Sequence, residues 1–138
     1  MARDISSPNL TGTDRFAFDP RTVEKPWGSE LIWALTGDYA GKILFVKAGE
    51  SLSLQFHRVK DESWYLYSGR AKVELGDAGE AALKEEVVSA PAFFRFLPGT
   101  VHRVTAIEDT TIIEVSTPHL DDIVRLEDAY GREGTSAP

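Results

Sequence analysis

Nine short segments rich in β-branched and aromatic residues follow one another between residues 30 and 116, most of them closed by glycine, proline or a Glu-Asp pair. They cover residues 30–33, 43–46, 51–57, 63–67, 71–75, 86–88, 93–97, 102–106 and 110–116. This cadence predicts an all-β sandwich or barrel. No amphipathic stretch is long enough to serve as the crossover helix of a βαβ unit, so parallel α/β architectures are excluded. Closing the strands into a double-sheet jelly roll would protect most edges and leave an open mouth for polar side chains. Residues 78–85 have room for one helical turn inside a long hairpin connection.

With 138 residues the chain fits a single domain that can bury a core without staples. Residues 1–21 read as a loose Ser/Thr/Pro/Gly/Asp-rich arm, residues 22–132 as the ordered domain, and residues 133–138 as a frayed tail. There are no cysteines, which removes disulfides, thiolate metal sites and cysteine nucleophiles. A formal charge of -7 without a concentrated basic patch argues against nucleic-acid binding. The absence of a signal-length or membrane-length apolar run leads us to expect a cytoplasmic, membrane-free protein, with the Asn9-Leu10-Thr11 sequon unmodified.

The chemistry concentrates in GESLSLQFHRVKDESWYLYSG, residues 49–69, and in FLPGTVHRV, residues 96–104. Residues two apart on a strand share a face, so Gln55 and His57 project together. Glu62 can return beside them from the next strand, and His102 supplies a fourth ligand from the second segment. Two imidazoles, a carboxylate and an amide carbonyl suit a borderline or hard divalent ion: Zn, Mn, Co, Ni or Fe(II). His119 follows a proline outside either frame and reads as a loop histidine.

These segments resemble the two motifs of the cupin superfamily. The first runs Gly49, five residues, Gln55-x-His57, four residues, Glu62, six residues, Gly69, with Gln55 where the first histidine is usual. The second is represented by Pro98-Gly99-Thr100-Val101-His102, its proline displaced by one place. A narrower resemblance, to the cupin domain of type II mannose-6-phosphate isomerases, rests on KPWG (residues 25–28), LSLQFH (52–57), Glu62-x-Trp64, SGRAKV (68–73), PGTVHRV (98–104), IIEV (112–115) and DDIVRLEDAYGR (121–132). The chain departs from that pattern at Ser63, where the family usually has histidine. The pyrophosphorylase domain to which such cupins are often fused is not among these 138 residues, so its activity is not implied.

The resemblance implies one divalent ion, most often zinc, on Gln55, His57, Glu62 and His102, and a small-molecule sugar phosphate as substrate. It implies an aldose–ketose isomerase interconverting mannose 6-phosphate and fructose 6-phosphate through an enediolate. Candidates for the general base are Glu114, Lys47 or a water. Arg125 and Arg132, then Arg103, are candidates for the phosphate, although Arg103 follows His102 directly and should face away from it. Trp64 could wall a sugar ring. A non-catalytic sugar-binding or regulatory cupin and a metal-dependent cupin oxygenase are the competing readings, the latter disfavoured by Gln55. A two-fold homodimer is the expected assembly.

Overall fold

The computed structural model of the chain describes residues 18–77, 79 and 82–135. Eleven strands form two antiparallel sheets: β1 Arg21–Lys25, β2 Gly28–Leu35, β3 Ala40–Val46, β4 Leu54–Phe56, β5 Glu62–Ser68, β6 Arg70–Asp77, β7 Lys84–Ser89, β8 Ala92–Phe96, β9 Thr100–Ala106, β10 Thr110–Ser116 and β11 Val124–Glu127. One sheet has the order β1-β2-β3-β10-β5-β8 and the other β11-β4-β9-β6-β7. The expected double-sheet jelly roll is thus the observed architecture. Among the described residues no helix is long and apolar enough to cross a membrane.

The nine expected strands are all present in whole or part, and two more flank them. β1 starts at Arg21, one residue before the expected domain start, and β11 lies in the segment read only as a connection. The 51–57 strand is shorter than expected: only Leu54–Phe56 is strand, with Ser51 forming an isolated bridge to Thr105. The helical turn proposed over residues 78–85 is not formed at its end, because Lys84 and Glu85 pair with β6; residues 78, 80 and 81 lie outside the described residues. The tail is less frayed than expected. Gly134 donates its N–H to the Arg125 carbonyl (3.1 Å) and the Thr135 carbonyl accepts from the Arg125 guanidinium (3.1 Å). Residues 136–138 and most of the arm, residues 1–17 with its sequon, lie outside the described residues.

Period-two alternation puts Leu44, Trp64, Leu66, Val73, Phe96 and Ile112 into the core between the sheets. The chain changes sheet between β5 and β6 in a single residue, Gly69, whose φ is 99°. A Cβ there would lie 2.4 Å from the Asp109 carbonyl oxygen, so the last glycine of the first motif is required by the corner. Gly99, at φ 87°, turns the chain into β9 and donates its N–H to the His57 carbonyl at 2.8 Å. That bond ties the second motif directly to the first.

Candidate metal centre

In an antiparallel sheet, residues paired across neighbouring strands share a face. Arg125 pairs with Gln55 and Gln55 with His102, so β11, β4 and β9 present these three side chains in one row toward the other sheet. Glu62 opens β5 in the opposing sheet, beside Ser116 and Phe96. His57 follows β4 by one residue.

The fold brings three of the four expected ligands to one point. His57 Nε2 lies 3.4 Å and His102 Nε2 3.1 Å from the same Glu62 oxygen, Oε1. The ligand atoms of the three residues all lie within 4.8 Å of one another, and all three side chains are buried. Among the described residues none of these atoms finds a hydrogen-bond partner of proper geometry. Each imidazole has its other nitrogen engaged: His57 Nδ1 with the Asp122 carbonyl at 2.5 Å, His102 Nδ1 with the Thr100 carbonyl at 2.9 Å. A carbonyl can only accept, so Nδ1 carries the proton and both Nε2 lone pairs are assigned toward Glu62. Convergence of two lone pairs and a carboxylate oxygen, with no proton between them, is costly unless a cation sits there. The donor set therefore fits a divalent ion. Gln55, buried in the same row, accepts at Oε1 from Ser53 Oγ (2.7 Å).

Around this point lies a cavity of about 270 Å³ whose walls include Gln55, His57, Glu62, Trp64, Glu114 and Lys60. The Lys60 ammonium sits 2.8 Å from Glu62 and 3.3 Å from Glu114. Burial alone would depress Lys60, but Glu114 and Glu62 outweigh it and raise its pKa, so the ammonium stays charged. Burial likewise works to raise Glu62, and the two histidines with Lys60 hold it well below the usual carboxylate range. Glu114 also accepts from the Trp64 indole N–H at 3.0 Å, which fixes that ring as a wall.

The other candidates divide. Arg125 and Arg132 border the cavity, although Arg132 is already held by Asp128 through two bonds of 2.9 and 3.1 Å. Arg103 does not border it: alternation turns it to the outer face, where Glu74 binds it through two 3.0 Å bonds. Lys47, just past the end of β3, is exposed and edges a separate recess with Phe45 and Asp109, away from the ligands. His119 is exposed in a loop, as expected. Sequence reasoning passed over Lys60, Lys25, Glu30 and Lys42. The signal was there in part, since Glu30 and Lys42 occupy the inward phase of strands with Ile32 and Leu44.

A family described as "Mannose-6-phosphate isomerase C-terminal" matches residues 14–128. The chain belongs to this family. Relatives of this cupin domain include mannose-1-phosphate guanylyltransferase 2 of Escherichia coli O157:H7 (34% identical over 82% of this chain) and the xanthan biosynthesis protein XanB of Xanthomonas campestris (36% over 81%). The alginate biosynthesis protein AlgA of Pseudomonas aeruginosa is 34% identical over 83% of the chain. The cupin domain spans only about a quarter of these proteins, 23–24% of their length. Among solved structures, the capsular polysaccharide assembling protein CapF of Staphylococcus aureus superposes with a TM-score of 0.71 at 18% identity, covering 83% of this chain and 34% of that one. KdgF of a Halomonas species gives 0.59 at 25% identity, covering 74% and 87%. A Bacillus subtilis oxalate decarboxylase described by its Mn(II) centres gives 0.64 at 19% identity, covering 76% and 29%. These likenesses share the cupin fold.

Proposed function

We propose that the chain is a metal-dependent sugar-phosphate isomerase interconverting mannose 6-phosphate and fructose 6-phosphate through an enediolate. The observation that carries the reading is the meeting of His57, His102 and Glu62 beside a cavity with an excess of cations, in a chain of this family. Gln55 completes the ligand set from its place in the row. A divalent ion held there would act as a Lewis acid, polarising the carbonyl and stabilising charge on the enediolate oxygens.

The chain's own residues supply the rest. Glu114 is a cavity carboxylate not committed to the ion that shares Lys60 with the ligand Glu62, and we assign it the proton shuttled between the two carbons. Each of its oxygens accepts one bond, from Trp64 and from Lys60, leaving a lone pair on each. Lys60, kept protonated between two carboxylates, would donate to a substrate oxygen as charge develops. Trp64 and the apolar residues Leu44, Leu52 and Ile123 keep water out of the floor.

Purified chain should hold one divalent ion per molecule, and a coupled assay should detect fructose 6-phosphate formed from mannose 6-phosphate. Stoichiometric metal without turnover of any hexose phosphate would overturn the isomerase and favour a binding module. The reading includes a cytoplasmic setting for the protein, because sugar-phosphate dianions do not cross membranes unaided.

The reading includes a homodimer. On the outer face of the six-stranded sheet, Leu31, Ile43, Ile113, Tyr65 and Phe93 form a cross-strand row over five strands. Phe93 is 69% exposed and the neighbouring Tyr67 58%. The row is free of charge, so two copies of this acidic chain can meet there without like-charge repulsion. A monomeric mass by sedimentation at micromolar concentration would refute it.

A further inference from the structure

The flank of the cavity built by β1, β2 and β3 lies away from the ligands and carries charge that the proposed chemistry does not use. Lys25 and Lys42 share a single carboxylate: Lys25 Nζ is 3.4 Å from Glu30 Oε2, and Lys42 contacts Glu30 Oε1 closely. Lys42 and Glu30 are buried, and Lys25 sits half-buried at the rim. Across the cavity stands Arg125, only 6% exposed, whose guanidinium gives one bond to the Thr135 carbonyl while its buried Nε has no hydrogen-bond partner among the described residues. Among the described residues six cationic side chains, Arg21, Lys25, Lys42, Lys60, Arg125 and Arg132, border the cavity against four carboxylates, Glu30, Glu62, Glu114 and Asp121. The cavity is thus a cationic island in a chain of formal charge -7.

We propose that Lys25, Lys42 and Arg125 form a phosphate subsite at this flank, taking the phosphoryl end of a hexose phosphate whose carbonyl end meets His57, Glu62 and His102. The assignment of the two ends rests on the isomerase reading; the anion site itself rests on the charges and on the buried Arg125 Nε, which has no hydrogen-bond partner among the described residues.

Register sets the separation. Lys42 pairs with Glu114, and Glu114 with Trp64 two residues along β5 from Glu62, so the lysine lies two strands from the ligand-bearing strand. Two strand spacings come to roughly 10 Å, comparable to an extended six-carbon sugar phosphate. A phosphate dianion bridging two ammoniums and a guanidinium gains charge-assisted bonds from all three, and satisfies the Arg125 Nε that is otherwise unmatched. Glu30 keeps the two lysines extended and apart without neutralising both. Lys25 reports the crowding: burial first, then Lys42 and Arg125, hold it below its ordinary value against the pull of Glu30. Arg132, bound on both sides of its fork by Asp128, is left as a support for the segment rather than a phosphate ligand.

The test is calorimetric titration of the metal-loaded full chain with inorganic phosphate, mannose 6-phosphate, mannose and a hexuronic acid. Lys25→Gln should weaken phosphate and mannose 6-phosphate by roughly tenfold and leave mannose and the metal content unchanged. Lys25→Arg should restore most of the affinity. Lys42→Gln should match Lys25→Gln if its far-UV spectrum is native; Lys25, at the rim, carries the test if it is not. Unchanged phosphate affinity in Lys25→Gln overturns the subsite, as does a hexuronate binding as tightly as the 6-phosphate. Failure of the isomerase looks different: phosphate binding sensitive to Lys25 without turnover sinks the activity and leaves the subsite standing. Turnover with a KM for mannose 6-phosphate indifferent to Lys25→Gln does the reverse.

Discussion

Asp122 lies 65 residues from His57 in sequence and holds it from two directions. Its carboxylate accepts the backbone N–H groups of Arg58 (3.0 Å), Val59 (2.7 Å) and Lys60 (2.8 Å), and its carbonyl accepts His57 Nδ1. Asp122→Asn keeps the shape but turns an amide NH2 toward N–H donors, so at least one of the three bonds is lost and replaced by a repulsive contact. A hydrogen bond to a charged group contributes about 1.5–3 kcal/mol net. Discounting for the half-exposed position of Asp122 and for the acceptor that survives, the substitution should cost about 2 kcal/mol. For a chain of this size that is a fall in Tm of roughly 6–10 °C. Because the 58–60 turn carries His57 on one side and Glu62 on the other, metal affinity should also drop by about 10- to 100-fold, the usual effect of losing a group that orients a ligand. The pH dependence has a definite sign. Burial works to raise Asp122, but the N–H donors of Lys60, Arg58 and Val59 outweigh it and depress its pKa below the unfolded value. Its stabilisation is then fully present above about pH 4 and is lost as pH falls further, so the gap between wild type and Asp122→Asn should shrink there. Thermal melts from pH 3 to 7 and metal titration decide it. A variant melting within about 2 °C of wild type at pH 7, or a gap that persists undiminished at pH 3, would refute the reasoning.

Glu62→Gln should reduce divalent metal affinity by at least roughly 100-fold, measured by competition with a chromophoric chelator, because Glu62 is the one carboxylate in the proposed ligand set. Phe96→Ala should lower stability by about 3–5 kcal/mol in a denaturant melt: Phe96 is 1% exposed, stacks on the His102 ring at 4.1 Å and meets Trp64 edge-on. Gly69→Ala should cost about 2 kcal/mol or more, since the corner needs its φ of 99° and the Asp109 carbonyl leaves no room for a methyl group. Chelating the metal from the loaded protein should lower Tm, and adding the ion back should restore it; no change on chelation would remove the ion from the folded state.

Much of the fold was legible from alternation and punctuation, because a strand that buries one face must repeat with period two and a jelly roll must turn often. β1 and β11 were not. RTVEK and VRLE carry charge on both faces, and only the cavity they border explains why charge is tolerated inward. The site divides in the same way. His57, Glu62 and His102 stood out because their spacing is tied to glycines that the turns require. Lys60, in the charged run 58–62, reads as a solvated hairpin tip, yet its ammonium is buried between Glu62 and Glu114. Lys25 and Lys42 look like ordinary strand-edge lysines until β1 and β2 are laid beside β3.

The order of residues along this chain was enough to determine an all-β domain and to single out His57, Glu62 and His102 as candidate metal ligands, since both depend on local period and spacing. Which of its charges face one another was decided only by tertiary structure. Those pairings come from strands whose partners lie 47 to 76 residues apart meeting in register, and no local rule carries the sign of a neighbour that arrives from the other sheet.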